Sequence, residues 1–314
     1  MEYAGRILVT GAAGRIGAVG RTVTELLVQR GLRVRAMVRR NDDRAQALRD
    51  LGAEVVTGDL LEPGDVYRVL SGCERVYFGL SVSAGYLEAS VLMAAVAKEL
   101  GVGALVNMSQ MTVSQMSIHN TTPSPQQRQH WLSEQAFAWS GVPVVTIRPT
   151  VFLDGFFLSL TNTSVRERNR IELPFGRGKT SPVAATDVAQ VIATILAHPD
   201  KHIGRLYELT GPRSQDMDAI AREYSDALGR EITYSDIAPD EWQKELKKAD
   251  LPEHLAKHLV TMAELHRANR YDRMADGVEV VTGKQPMGVR DFVALHADAF
   301  GGRSQPPKRT TRAA

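Results

Sequence analysis

Two stretches of this 314-residue sequence have residue types and spacings that can do chemistry. The first is Val9-Thr10-Gly11-Ala12-Ala13-Gly14-Arg15-Ile16-Gly17, a glycine triplet that follows a short apolar run and opens a helical pattern. In such a turn Gly11 permits the tight reversal, Gly14 lets the backbone approach a pyrophosphate, and Gly17 lets the helix pack closely on the strand. Unpaired N–H groups at the start of the helix, with its partial positive charge, then hold an anion without any side chain. Ala13, Arg15 and Ile16 share the turn and join the three glycines as cofactor-binding candidates. A glycine triplet alone is weak evidence. Its place at the first strand-to-helix turn of a βαβ pattern turns it into a dinucleotide-binding signal.

The second stretch is Arg39-Arg40, closing the next apolar run. A site for NAD usually carries an acid there, about twenty residues beyond the glycines, to bond the ribose hydroxyls. A guanidinium fork instead suits a ribose 2′-phosphate, so the pair favours NADP(H) over NAD(H). Asp42 and Asp43 follow closely and temper the charge, and two solvated loop arginines are the plainer alternative.

Other candidates stand where apolar runs end. Asp59 and Leu60 can frame an adenine, or Asp59 can simply cap the next helix. Gly79, Leu80 and Ser81 let a cofactor lie against backbone, and Met108 and Ser109, then Pro149 and Val151, close two later runs. Ser109 and Gln110 can hydrogen-bond a substrate or the nicotinamide amide, or merely shape a loop. Met111, Phe152 and Phe156 can line an apolar pocket for a flat substrate, although such residues are more often core. Trp242 can cover the site or anchor a helix.

The elements that must position these residues alternate. Apolar runs at 6–10, 34–38, 54–56, 75–80, 104–108 and 144–148 read as strands, separated by helical stripes that follow the glycine turn and recur at 45–51, 65–70, 86–100 and 126–139. That is the pattern of an α/β fold, a doubly wound parallel Rossmann-type sheet. Residues 1–155 are expected to form the NADP(H)-binding domain, with a returning segment at 184–212 that holds a helix at 186–197 and a strand at 205–209. Residues 156–183 and 213–302 are expected to form a smaller, mixed α/β substrate-binding lobe, with helices at 216–228, 239–249 and 252–270, and 303–314 a disordered tail.

Composition narrows the function. Hydrophobic residues make up 43% and charged residues 24%, with a net charge of +2 and no broad basic face, so neither a nucleic-acid nor a membrane partner is expected. The single cysteine offers no disulfide and no metal cluster, and the chain leads directly into a strand, so a soluble cytoplasmic protein without a metal is expected. Its partner would be a small molecule; the oligomeric state, monomer or homodimer, stays open.

Together these residues resemble the atypical short-chain dehydrogenases of the NmrA-like group, a family of quinone reductases, triphenylmethane dye reductases and non-catalytic redox sensors. The resemblance rests on residues 11–17 and 34–39, on Gly58-Asp59-Leu60, Ile147-Arg148-Pro149 and Asp187-Val188-Ala189, and on Tyr207-Glu208-Leu209-Thr210-Gly211-Pro212. It implies a small C-terminal lobe closing a cleft over the nicotinamide. One departure is local: the segment from Gly17 to Gly31 is slightly longer than the family's form, which shifts the start of the first helix.

Many reductases of the wider superfamily use a Tyr-x-x-x-Lys pair, but the corresponding helix here reads His130-Trp131-Leu132-Ser133-Glu134. His130 and Glu134, at i and i+4, share one helix face, so the carboxylate can raise the basicity of an imidazole that donates a proton near neutral pH. A surface pair is the plainer alternative. Quinones, dyes and enones delocalise incoming charge, so a tyrosine-free reductase is physically sound. The expected function is therefore an NADPH-dependent oxidoreductase acting on a planar or conjugated acceptor, with an NADP(H)-binding redox sensor as the alternative. The missing tyrosine and lysine weigh against an epimerase.

Overall fold

The computed structural model describes residues 5–14, 18–249 and 251–302. Arg15, Ile16 and Gly17 of the glycine turn, and the expected tail at 303–314, lie outside the described residues.

The first half alternates as the sequence suggests: β1 Arg6–Val9, α1 Val19–Gln29, β2 Val34–Val38, α2 Asp43–Asp50, β3 Glu54–Thr57, α3 Pro63–Leu70, β4 Cys73–Phe78, α4 Tyr86–Glu99, β5 Ala104–Met108, α5 Pro125–Ser140 and β6 Val144–Pro149. Then come α6 Asn162–Arg168, β7 Arg170–Leu173, α7 Ala185–Ala197, β8 Leu206–Leu209, α8 Met217–Leu228, β9 Thr233–Asp236, α9 Pro239–Lys248, α10 Glu253–Arg267, α11 Gly277–Thr282 and α12 Val289–Leu295.

Seven strands form one parallel sheet in the order β3-β2-β1-β4-β5-β6-β8. Its strands read as apolar runs because helices cover both faces. Ile7, Leu8 and Val9 are all fully buried; Ile7 and Val9 pack toward α1 and α7, and Leu8 packs on the opposite side toward α3 and α4, following the two-residue alternation of a strand. Strand order reverses between β1 and β4, and at such a switch the carboxyl ends of the strands open a crevice. The glycine turn leaves β1 on one side of that crevice, and Gly79, Leu80 and Ser81 leave β4 on the other.

The C-terminal part is mostly helical. Its own core gathers Tyr224, Trp242 and Phe292 from α8, α9 and α12, with Phe156, Phe157 and Phe175 from before α8 and Phe300 from after α12. Its sheet is a single parallel pair, β7 with β9. A π-helical turn, Leu153–Ser159, carries the chain out of β6 into this lobe. The helix α11 instead lends Val278 to the core beside α7 and β8. Among the described residues no helix is long and apolar enough to cross a membrane.

Candidate functional site: a dinucleotide cleft and its buried flank

A cleft of about 960 Å³ runs along the carboxyl ends of β1, β2, β3 and β4. It brings together nine of the residues singled out from the sequence: Gly11, Ala13, Gly14, Arg39, Arg40, Asp59, Leu60, Leu80 and Ser81. Gly11 has φ +63, and a Cβ there would stand 2.6 Å from the carbonyl oxygen of Gly79, so the turn accepts only glycine without rearrangement. Thr10 clamps the two sides of the crevice: its hydroxyl donates to the Gly79 carbonyl at 2.9 Å and accepts from the Gly79 N–H at 2.9 Å. The helix α1 begins only at Val19, after Ala18 in the left-handed region with φ 45. Gly20 also packs against the turn, where a Cβ would meet the Gly11 oxygen at 2.6 Å, a close approach not foreseen from sequence.

Among the described residues, four guanidinium groups line the same cleft, those of Arg39, Arg40, Arg44 and Arg68. Arg39 pairs with Asp59 at 2.9 Å. Asp59 also accepts from the Leu61 N–H at 3.0 Å, so it serves as a turn cap and as an ion-pair partner together. Arg44 is held by Asp42 and donates to the Ala13 carbonyl at 3.1 Å, tying α2 to the glycine turn; that guanidinium keeps the Asp42 carboxyl below its usual range. Arg68 bonds the Thr57 carbonyl at 2.8 Å and Asp65. Arg40 is exposed on the cleft wall and makes no hydrogen bond or ion pair to any described residue. The fit to a dinucleotide phosphate rests on this donor set, glycine backbone at one end and arginines at the other. Arg44 and Arg68 were missed in the sequence because nothing in their spacing places them beside Arg39.

The remaining candidates lie at the carboxyl ends of β5 and β6, apart from that wall. Met108 is partly buried, and Ser109, Pro149 and Val151 are buried. The Ser109 hydroxyl, the Gln110 amide nitrogen and the Thr150 hydroxyl are buried without a partner among the described residues. Met111 is buried, Phe152 is half-buried against the sheet core, and Phe156 packs against Phe175 at 5.3 Å inside the lobe. Trp242 is buried in the lobe core, so it anchors α9.

His130 sits on α5, whose start is set by Ser124, which accepts from the Gln127 N–H at 3.3 Å, and by Pro125 in the first turn; Gly141, at φ 77, ends it. The expected partnership with Glu134 does not form. Glu134 is held in a two-pronged ion pair by Arg148 of β6, at 2.9 and 2.6 Å, and Arg148 also approaches Glu208 at 3.8 Å. A carboxylate one turn along a helix loses to an arginine fork that reaches it from the neighbouring strand. Burial, with the nearby His258, holds His130 down at about 3, so the imidazole is neutral at neutral pH and is no ready proton acid there. Its Nε2 lies 3.2 Å from the Gln126 amide nitrogen, and its ring packs against Tyr86, the centroids 4.1 Å apart and the planes inclined by 48°. The Tyr86 hydroxyl in turn donates to the Met108 carbonyl at 3.0 Å. Gln126, Gln127, Tyr86 and Asn107 are buried here and were not singled out from sequence, since polar residues at a helix start ordinarily face water.

The geometry defines a Rossmann-type dinucleotide site. The chain belongs to the NAD(P)H-binding family, whose model matches residues 11–199, and the resemblance to the NmrA-like atypical short-chain dehydrogenases holds. It is 28% identical over 297 residues to the NAD(P)H azoreductase of Xenophilus azovorans, covering 94% of this chain and 99% of that protein. It is 30% identical over 294 residues to the (4-alkanoyl-5-oxo-2,5-dihydrofuran-3-yl)methyl phosphate reductase of Streptomyces griseus, again covering 94% and 99%. The NADPH-dependent quinone oxidoreductase QOR2 of Escherichia coli, solved with NADPH, shares the fold with a TM-score of 0.80 at 22% identity, over 93% of this chain and 99% of that one.

Proposed function

We propose that this chain is an NADPH-dependent reductase that delivers hydride to a small planar or conjugated acceptor of the quinone, dye or enone class, without a Tyr-x-x-x-Lys pair. The observation that carries the reading is the cleft itself, with glycine backbone after β1 and, among the described residues, four arginines from the end of β2, from α2 and from α3. Arg39 and Arg40 would hold the 2′-phosphate, which favours NADP(H) over NAD(H). Gly11, Ala13 and Gly14, with Arg15, Ile16 and Gly17, would hold the pyrophosphate, and Asp59, Leu60, Gly79, Leu80 and Ser81 would border the adenosine half. Met108, Ser109, Pro149 and Val151 would flank the nicotinamide, and Gln110, Met111, Phe152 and Phe156 the acceptor. Bound there, the reduced cofactor supplies hydride; the chain's own contribution is to orient the acceptor and to exclude water.

Two relatives support the acceptor class, one an azoreductase and one a reductase of a 5-oxo-2,5-dihydrofuran, a conjugated ring. One observation favours a second reading, a non-catalytic NADP(H) sensor: Met111 and Phe156 are buried, so side chains occupy the flank where an acceptor would enter. Mixing the protein with NADPH and a panel of quinones, azo and triphenylmethane dyes, enones and simple aldehydes, and following cofactor absorbance, separates the two. Turnover with conjugated acceptors but not aldehydes is expected. Tight NADPH binding with no turnover on any of them would establish the sensor instead.

A further inference from the structure

The first turn of α5 carries a run of hydrogen bonds whose directions are all determined. The Ser83 backbone N–H can only donate, and it lies 3.0 Å from Gln126 Oε1, which identifies that atom as the amide oxygen. His254 Nε2, on α10 of the lobe, donates to the same oxygen at 2.8 Å. The amide NH₂ therefore points the other way, to His130 Nε2 at 3.2 Å. An NH₂ cannot accept, so His130 Nε2 carries the lone pair, and the single proton of the neutral ring sits on Nδ1.

That Nδ1–H is buried, and no described residue accepts from it. Gln127, three positions earlier on the same helix face, is fully buried with neither side-chain oxygen nor nitrogen partnered among the described residues. Buried donors and acceptors in folded proteins nearly always find partners, so this face is built for a polar group that the described residues do not supply. Its place agrees: Tyr86 packs at a tilt against His130 and bonds the carbonyl of Met108, the last residue of β5, so the imidazole stands near a strand end of the kind that borders ligands.

We infer that Gln126 is a positioning residue that fixes His130 as its Nδ1–H tautomer, and that this neutral imidazole hydrogen-bonds the oxygen or nitrogen of the acceptor on which negative charge develops. The inference rests on the reductase reading. Bound in the cleft, the reduced cofactor would supply hydride to the acceptor and be left oxidised; the His130 Nδ1–H would stabilise the heteroatom that takes up the electron pair while keeping its own proton, and solvent would supply the proton that completes reduction. A neutral imidazole acting as electrophile in this way needs no charged partner, which is consistent with Glu134 being bound to Arg148.

The test is spectroscopic first. Long-range ¹H–¹⁵N correlation spectra of the full chain labelled at histidine nitrogens should show His130 purely as the Nδ1–H form at pH 7. In Gln126→Leu, the Nε2–H form should appear. Gln126→Glu, nearly isosteric, presents a carboxylate to Nε2 and should draw a proton onto that atom. His130→Leu should lower kcat by roughly 10²–10³-fold, as loss of one oxyanion donor does, with the KM for NADPH little changed. An Nε2–H or doubly protonated His130 in the unsubstituted protein overturns the inference whatever the activity. So does a pure Nδ1–H signal that survives in both Gln126 variants. The reductase reading fails separately, if no acceptor of the panel makes the unsubstituted protein oxidise NADPH.

Discussion

The two flanks of the crevice are built on opposite principles. The flank proposed for the nucleotide is open and charged: its arginines are solvent-facing, and Gly11 and Gly14 line it beside them. The flank proposed for the acceptor is closed: Ser109, Gln127 and His130 are buried, and burial keeps His130 neutral. An anionic ligand that arrives with its own charge needs donors reachable from water, where a guanidinium remains hydrated until the phosphate replaces that water. A group on which charge develops during reaction needs donors already dry, because in a low dielectric each hydrogen bond is worth more.

This contrast can be broken first at the turn. Gly11→Val places a branched side chain at φ +63 against the Gly79 carbonyl, so calorimetry should find NADPH binding lost, together with about 1–3 kcal/mol of stability from backbone strain. Retained nanomolar-to-micromolar binding would mean that the turn is not the phosphate seat.

The buried flank should make the protein acid-sensitive. Burial holds His130 at about 3, His258 at about 4 and His266 at about 3, against about 6.5 when unfolded. The unfolded chain takes up these protons below pH 6.5 and the native one does not, so their contribution is fully present above pH 6.5. It drains as pH falls toward 3–4. Denaturant titrations at pH 7 and pH 5 should differ by roughly 5 kcal/mol if all three act, and His266→Gln should remove about a third of that difference. A flat profile would show that these rings are hydrated.

Glu134→Gln sharpens the boundary between the flanks. Stripping a buried pair of one partner typically costs about 3–5 kcal/mol, and Glu208 remains 3.8 Å from Arg148, so a loss of about 2–3 kcal/mol is expected by chemical denaturation. The His130 tautomer should not change. Smallest is the effect of Arg39→Ala or Arg40→Ala, each expected to weaken NADPH by about 10- to 100-fold through one lost charge-assisted contact, with NADH unaffected. Equal weakening of both cofactors would remove the assignment of the 2′-phosphate.

The legibility of the site follows the same division. The glycine turn, the strands before it and after it, and Arg39-Arg40 were readable because each depends on local spacing: a βαβ unit brings a turn and the next strand end together wherever it folds. Strands β7 and β9 were not, since Arg170–Leu173 and Thr233–Asp236 are four residues each and mix charged with apolar side chains. The short helices α6, α11 and α12, six or seven residues long, gave too little periodicity.

What the chain's own order of residues determined was the sheet, the glycine turn after its first strand and the basic character of the next strand's end, because backbone geometry and two-residue or helical periods decide these within some thirty residues. Only the tertiary structure decided which partner each polar side chain took. Glu134 went to Arg148 across the sheet rather than to His130 on its own helix, and Gln126 met Ser83 from one side and His254 from the other. Those choices turn on burial and on competition among groups distant in sequence, and a hydrogen bond forms with whichever partner stands within about 3 Å once the core has closed.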